Sequence, residues 1–335
     1  MTQSLADRLM DAIDEKQNPS VVGLDPRFEN IPYHLKTGDS QRQQANAFRR
    51  FNEAIIDAIE DIVPAVKPQA AFYEQLGSEG YRVLEDTIEY AHSKGLIVIT
   101  DAKRNDIGST AQAYANGHLG DSAYAADALT VNYYLGDDGV KPFIDVCNKL
   151  GRGIFLLDKT SNKGSGQFQD QSVLIDDDII EELRRLGIRP NNQIPLYSLV
   201  ALNINRLAQK HIGERGYSPI GAVIGATYPE QAEILRTIMP NSFILVPGYG
   251  AQGGGANDAM PCFNQDGYGA IVNSSRRIIF AYQKIKTRPE EDSPRKFMPQ
   301  QFAEAARHAA LAMKDDLSGA LTKTDKLPSS WRNTA

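Results

Sequence analysis

What most constrains this chain is an eightfold alternation. Short, almost wholly apolar runs recur at residues 21–25, 63–67, 96–101, 128–131, 153–158, 221–225, 243–246 and 269–272. Between them lie polar loops and stretches of helical periodicity, at 44–60, 80–94, 109–119 and 230–238 among others. Strands that are apolar throughout, alternating with helices, predict a parallel sheet covered on both faces. Eight such units predict closure into an α/β fold of the (β/α)8 TIM-barrel type. The alternative, a doubly wound open sheet, calls for a glycine-rich turn directly after the first strand. The chain has Gly23-Leu24-Asp25-Pro26-Arg27 there, with no GxGxxG.

Residues 1–285 are therefore read as one barrel domain, with residues 1–14 as an N-terminal amphipathic helix. Asp7, Arg8, Asp11 and Asp14 interrupt that segment, whereas a signal peptide has an unbroken apolar stretch. Residues 286–335 read as a C-terminal helical extension with a polar tail. Its helical pattern at 301–314 is expected to dock on the barrel exterior, and the last ten or so residues to be loosely held. The connection from 159 to 220 is longer than a plain strand–helix unit. Its Asp176-Asp177-Asp178 run suits a solvated loop or a helix N-terminus, where the dipole favours negative charge.

Composition narrows the function classes. Hydrophobic residues at 41% and charged residues at 23% suit an ordinary soluble domain. No run approaches the roughly 20 apolar residues that a membrane helix needs. A net charge of −6 argues against a nucleic-acid or anionic-membrane binder. Cys147 and Cys262 form no CxxC pair and read as reduced thiols in the cytoplasm. The five histidines make neither HxH nor HExxH, so no metal site is expected.

Ligands of α/β barrels bind at the C-terminal ends of the strands, so charges placed there are informative. Asp25 ends the first strand, Lys67 the second and Asp101 the third. Lys103 and Asp106 follow in Asp101-Ala102-Lys103-Arg104-Asn105-Asp106. Alternation along a strand sends Asp101 and Lys103 to the same side. Two carboxylates around one ammonium are costly unless every charge is paired. Adding Lys67 completes an alternating array that holds Lys103 protonated. Such a lysine suits a general acid aimed at a developing carbanion, and not Schiff-base chemistry, which needs the free amine. Taken singly, each residue has a plainer role: Asp25 as a turn initiator, Asp106 as a helix N-cap, Lys67 as a surface lysine, Asp101–Lys103 as a structural ion pair.

A second constellation falls in the last two units. Pro247-Gly248-Tyr249-Gly250-Ala251-Gln252-Gly253-Gly254-Gly255 follows the seventh strand, and Asn273-Ser274-Ser275-Arg276-Arg277 the eighth. Barrels frequently build phosphate sites from these loops. Glycine-rich turns expose backbone N–H groups, and an arginine supplies a planar donor fork.

Together the DxKxxD core with Ile107, Gly108 and Thr110, the Lys159-Thr160-Ser161-Asn162 segment and the two late loops resemble orotidine 5′-phosphate decarboxylases, in their longer bacterial-type branch. The resemblance spans roughly residues 15–285. It implies conversion of orotidine 5′-phosphate to UMP without a cofactor, with Lys103 protonating C6 of the pyrimidine. It implies that Asp101 sits against the departing carboxylate, Lys67 bridges Asp101 and the ribose, and Asp25 binds a ribose hydroxyl. Ser161 would contact the pyrimidine, while Gln252 and Arg276 would hold the phosphate. Asp106, Ile107 and Thr110 would cross a homodimer interface into the partner's site. The family's pattern has a small residue after the phosphate-binding arginine; Arg277 stands there, and register assigns the role to Arg276. Two other readings are a metal-dependent sugar-phosphate decarboxylase or aldolase on the same barrel, and a non-catalytic nucleotide-binding barrel. The former calls for a carboxylate where Lys67 stands.

Overall fold

A computed structural model describes residues 2–250, 253–283 and 298–332. Among the described residues ten strands are found: β1 Ser20–Leu24, β2 Ala65–Pro68, β3 Ile97–Arg104, β4 Ala128–Val131, β5 Gly153–Lys159, β6 Ser172–Leu174, β7 Gln193–Pro195, β8 Ser218–Ile224, β9 Ser242–Val246 and β10 Ala270–Ser274. Eight of them close a barrel in the order β1-β10-β9-β8-β5-β4-β3-β2, and every pairing in it is parallel. Each crossover therefore joins neighbours, as the repeated strand–helix pattern requires. The apolar runs are buried end to end because side chains on one face fill the barrel and those on the other meet the helices.

The helices are α1 Leu5–Lys16, α2 Gln41–Ile59, α3 Ala70–Glu74, α4 Gly77–Ser93, α5 Gly108–Leu119, α6 Asp137–Leu150, α7 Asp177–Arg185, α8 Leu196–Ala208, α9 Pro229–Ile238, α10 Ala256–Ala259, α11 Arg276–Ile279 and α12 Phe302–Lys323. Their starts follow local chemistry. The Ser40–Gln43 capping box begins α2 three residues before the apolar periodicity does. Pro229 opens α9, where its missing N–H costs nothing. The second strand starts at Ala65 and not at 63, since Pro64 has no N–H to give a ladder. Strand β3 runs on to Arg104, past the expected end at Asp101.

The long connection after β5 contains a two-stranded antiparallel sheet of β6 and β7 with α7 between its strands, before α8 completes the unit. Asp176 caps α7 and Asp177 and Asp178 lie in its first turn, so the acidic run marks a helix N-terminus.

The boundary expected at 285/286 lies outside the described residues. Beyond it, α12 runs nine residues past the expected end at 314, to Lys323, and lays Phe302, Ala306, Ala310, Met313, Leu317 and Leu321 against the barrel. Phe302 stacks on Phe51 of α2 at 5.1 Å between ring centroids. The expectation of a loosely held end is corrected for residues 326–332. Trp331 is buried and its Nε1 donates to Asp14 at 3.0 Å, while Ser330 Oγ donates to the same carboxylate at 2.9 Å. Lys326 donates to the carbonyls of Met260 and Phe263 at 2.9 and 2.7 Å. Polar residues obscured this anchoring because their partner, α1, lies at the other end of the chain. Trp331→Ala should lower unfolding stability by about 3 kcal/mol, the usual cost of deleting a buried indole. Urea unfolding measures it, and a loss below roughly 1 kcal/mol would mean the tail is dispensable.

Candidate active site

The C-terminal ends of the barrel strands surround a cavity of about 520 Å³. Asp25 after β1, Lys67 in β2, Asp101 and Lys103 in β3, and Thr130 in β4 line one side of it. Asp101 is the hub. One oxygen accepts from Lys67 Nζ at 2.8 Å and Gln69 Nε2 at 3.0 Å. The other accepts from Lys103 Nζ at 2.5 Å and Thr130 Oγ1 at 2.9 Å. A carboxylate with four donors keeps its charge despite burial.

Electrostatics lock these states. Burial by itself would raise the Asp101 pKa, but Lys67 and Lys103 outweigh it and hold the carboxyl well below the usual range. Burial would lower the pKa of Lys67, yet the charges of Asp101 and Asp25 carry it above its ordinary value. Asp101 thus favours the folded state above its unfolded pKa of about 3.9, and the gain fades as pH falls below that. Lys67 contributes below about pH 10.4 and loses its contribution above its raised folded value. At neutral pH both charges are present.

Lys103 reaches Asp101 by a distorted backbone. Its φ is +49°, a left-handed conformation that costs a non-glycine residue about 1–2 kcal/mol. The β3–β4 register shifts between Thr100 and Arg104 at this point. Thr130 holds the distortion, its Oγ1 accepting from Lys103 N at 3.0 Å while donating to Asp101. Simple strand alternation placed Lys103 on the correct side, but a bulge aims it. The Lys103 side chain lines the cavity and is 46% exposed, against 5% for Lys67, so it is the more accessible of the two lysines.

Asp25 lines the cavity, and its buried Oδ1 has no hydrogen-bond partner among the described residues. Ser161 lines the opposite wall with Thr160, Asn162 and Gln169. Gly225 admits this wall to β8, for a Cβ there would fall 2.6 Å from Ser161 Cα. Arg276 lines the cavity with Pro247, Gly248, Tyr249 and Ser275. Arg277 lies over the Tyr249 ring, 5.8 Å from its centroid, and does not line the cavity. Gln252 lies outside the described residues.

Asp106, Ile107 and Thr110 do not line the cavity of their own chain. The Asp106 carboxylate accepts from Ile107 N at 2.8 Å, one residue before the position that caps α5, so it is not the N-cap. Ile107 is 52% exposed, and Tyr134 and Leu135 are exposed as well, just before α6. Gly139 at the start of α6 packs against the carbonyl of Asp106. Gln69 and Thr130 escaped the sequence reading. Gln69 keeps the parity of Lys67, and Thr130 is the polar residue of an otherwise apolar run; each was a signal.

Fold and site together define a (β/α)8 barrel whose strand-end cavity holds an ion-paired lysine array beside a glycine-rich loop and an arginine. The chain belongs to the orotidine 5′-phosphate decarboxylase / HUMPS family, whose profile matches residues 21–287. It is 43% identical over 324 residues to the orotidine 5′-phosphate decarboxylase of Rhodopirellula baltica, covering 94% of this chain and 99% of the relative. It is 37% identical over 333 residues to that of Caldicellulosiruptor saccharolyticus, covering 95% and 99%. The solved structure of Leishmania donovani OMP decarboxylase superposes with a TM-score of 0.68 at 26% identity, covering 95% of this chain and 98% of that one.

Proposed function

We propose that this chain decarboxylates orotidine 5′-phosphate to UMP, the last step of de novo pyrimidine nucleotide synthesis, with Lys103 as proton donor and no cofactor. The observation that carries this reading is Asp101 held between Lys67 and Lys103, at 2.8 and 2.5 Å, inside the cavity. Breaking the C6–carboxylate bond releases CO2 and leaves the electron pair on C6. The Lys103 ammonium stabilises that charge as it forms and then gives C6 a proton. Water returns a proton to the amine. Asp101 lies against the leaving carboxylate, and Lys67 ties Asp101 to the ribose. The unpartnered Asp25 oxygen accepts a ribose hydroxyl, and Ser161 meets the pyrimidine.

Arg276 and Gln252 hold the 5′-phosphate. Binding energy gathered there, away from C6, orients the ring and so lowers the barrier as well as KM. The exposed Ile107, Tyr134 and Leu135 supply apolar surface for a homodimer through which Asp106, Ile107 and Thr110 reach the partner's site. In this reading residues 1–285 are the catalytic barrel and 286–335 its C-terminal extension, of which the described residues 302–332 brace the barrel, and the enzyme works in the cytoplasm. None of the helices among the described residues is long and apolar enough to cross a membrane.

The family also includes sugar-phosphate enzymes, and the metal-dependent alternative makes a distinct prediction. Lys67 repels a cation at the place where that reading calls for a carboxylate ligand. The ultraviolet absorbance of orotidine 5′-phosphate should fall on incubation with the protein, at the same rate with and without a chelator. A rate that collapses with chelator would favour the metal enzyme. No loss of absorbance at all would favour a nucleotide-binding barrel.

A further inference from the structure

We infer that Lys159, with Asp170 and Tyr228, is a positioning clamp that sets the cavity wall facing the base. Lys159 ends β5, and its side chain has no accessible surface. A buried ammonium is costly unless it is paired and hydrogen-bonded. Lys159 Nζ meets Asp170 Oδ1 at 2.6 Å, donates to Ser165 Oγ at 3.2 Å and lies 4.3 Å from the centroid of the Tyr228 ring. Its chain neighbour Asp158 is not the paired counter-charge: both of its buried carboxyl oxygens lack a hydrogen-bond partner among the described residues, and burial pushes its pKa well above the usual range. Asp170 supplies it from a half-exposed position.

What the ammonium holds is the wall itself. Ser165 Oγ donates to Tyr228 Oη at 3.2 Å, and Tyr228 Oη donates to the carbonyl of Asn162 at 3.3 Å. Thr227 Oγ1 donates to the carbonyl of Ser161 at 3.3 Å. Gln169, next to Asp170, accepts from Thr160 N at 3.0 Å and donates to Thr160 Oγ1 at 2.9 Å. Thr160, Ser161, Asn162 and Gln169 all line the cavity, whereas the Lys159 ammonium lies behind them. Lys159 therefore acts through these residues and touches no substrate. Linked polar groups around a buried charge hold a loop in one geometry, which unsupported hydroxyls and amides do not. The inference rests on the reading that this wall faces the pyrimidine.

The test measures binding of UMP and of ribose 5-phosphate, which lacks the base, by calorimetry on the full-length chain. Lys159→Met and Asp170→Asn should each weaken UMP about tenfold, as expected for losing one charge-assisted hydrogen bond. Ribose 5-phosphate affinity should stay within about twofold. Should Lys159→Met fail to fold, the half-exposed Asp170→Asn still carries the test, with a cooperative thermal melt as the check on folding. Equal weakening of both ligands, or unchanged UMP affinity in a folded variant, overturns the clamp. Ser161→Ala separates the two readings. If it loses UMP affinity and the clamp variants do not, the base contact stands and the clamp falls. If the clamp variants selectively lose UMP affinity and Ser161→Ala does not, the clamp stands and the wall reads the base through its other residues.

Discussion

Lys103→Ala is expected to reduce turnover by roughly five orders of magnitude while UMP still binds within a few-fold of the parent affinity. Two contributions vanish together: the proton donor, worth about 10²–10⁴, and the fixed charge that stabilises the forming carbanion, worth about 10²–10³. Binding should survive because the rest of the array remains paired. Asp101 keeps Lys67, Gln69 and Thr130 as donors, so no buried carboxylate is stranded. The alanine inherits the left-handed backbone at 103 and costs no more there than lysine does. Decay of substrate absorbance gives turnover, and titration with UMP gives affinity. Turnover within tenfold of the parent would remove Lys103 as the proton donor. Asp101→Ala offers a contrast. It leaves the buried Lys67 ammonium without its closest counter-charge, so stability should fall along with activity.

The barrel was legible because its signal is a long-range repeat of a local one. Eight apolar runs can be counted without knowing where any of them ends. Their ends were less legible, since termini depend on a missing N–H at Pro64, a capping box at Ser40 or a bulge at Lys103. At the site, Asp25, Lys67, Asp101, Lys103, Ser161 and Arg276 all line the one cavity. Charged residues in that position stand out against apolar strands. Gln69 and Thr130 did not, although both bond directly to Asp101, because uncharged polar residues near strand ends are common in any barrel. The C-terminal tail was misjudged for a related reason. Trp331 and Ser330 owe their order to Asp14, more than 300 positions away, and no local pattern announces such a partner. Asp106, Ile107 and Thr110 illustrate a different limit. A strand-end motif marks them as part of one short run, but the fold divides that run between the cavity and the exposed start of α5.

That division makes a sharp prediction about mixed dimers. Lys103→Ala and Asp106→Ala should each be nearly inactive alone, and mixing them should restore activity. If each site takes Lys103 from one subunit and Asp106 from the other, a mixed dimer has one site carrying both lesions. Its other site carries neither. Random reassortment of equal amounts makes about half the dimers mixed, so about a quarter of all sites should regain parental turnover. If Asp106 served its own chain, every site in every combination would carry a lesion and nothing would return. The recovered rate should also depend on subunit exchange, appearing after dilution and reconcentration and not on simple addition. Asp106→Ala removes a carboxylate that, among the described residues, bonds only to the N–H of Ile107, at 2.8 Å, so the barrel should fold unperturbed. Measured by substrate absorbance, recovery near one quarter supports a shared site, and a flat baseline assigns Asp106 to its own subunit.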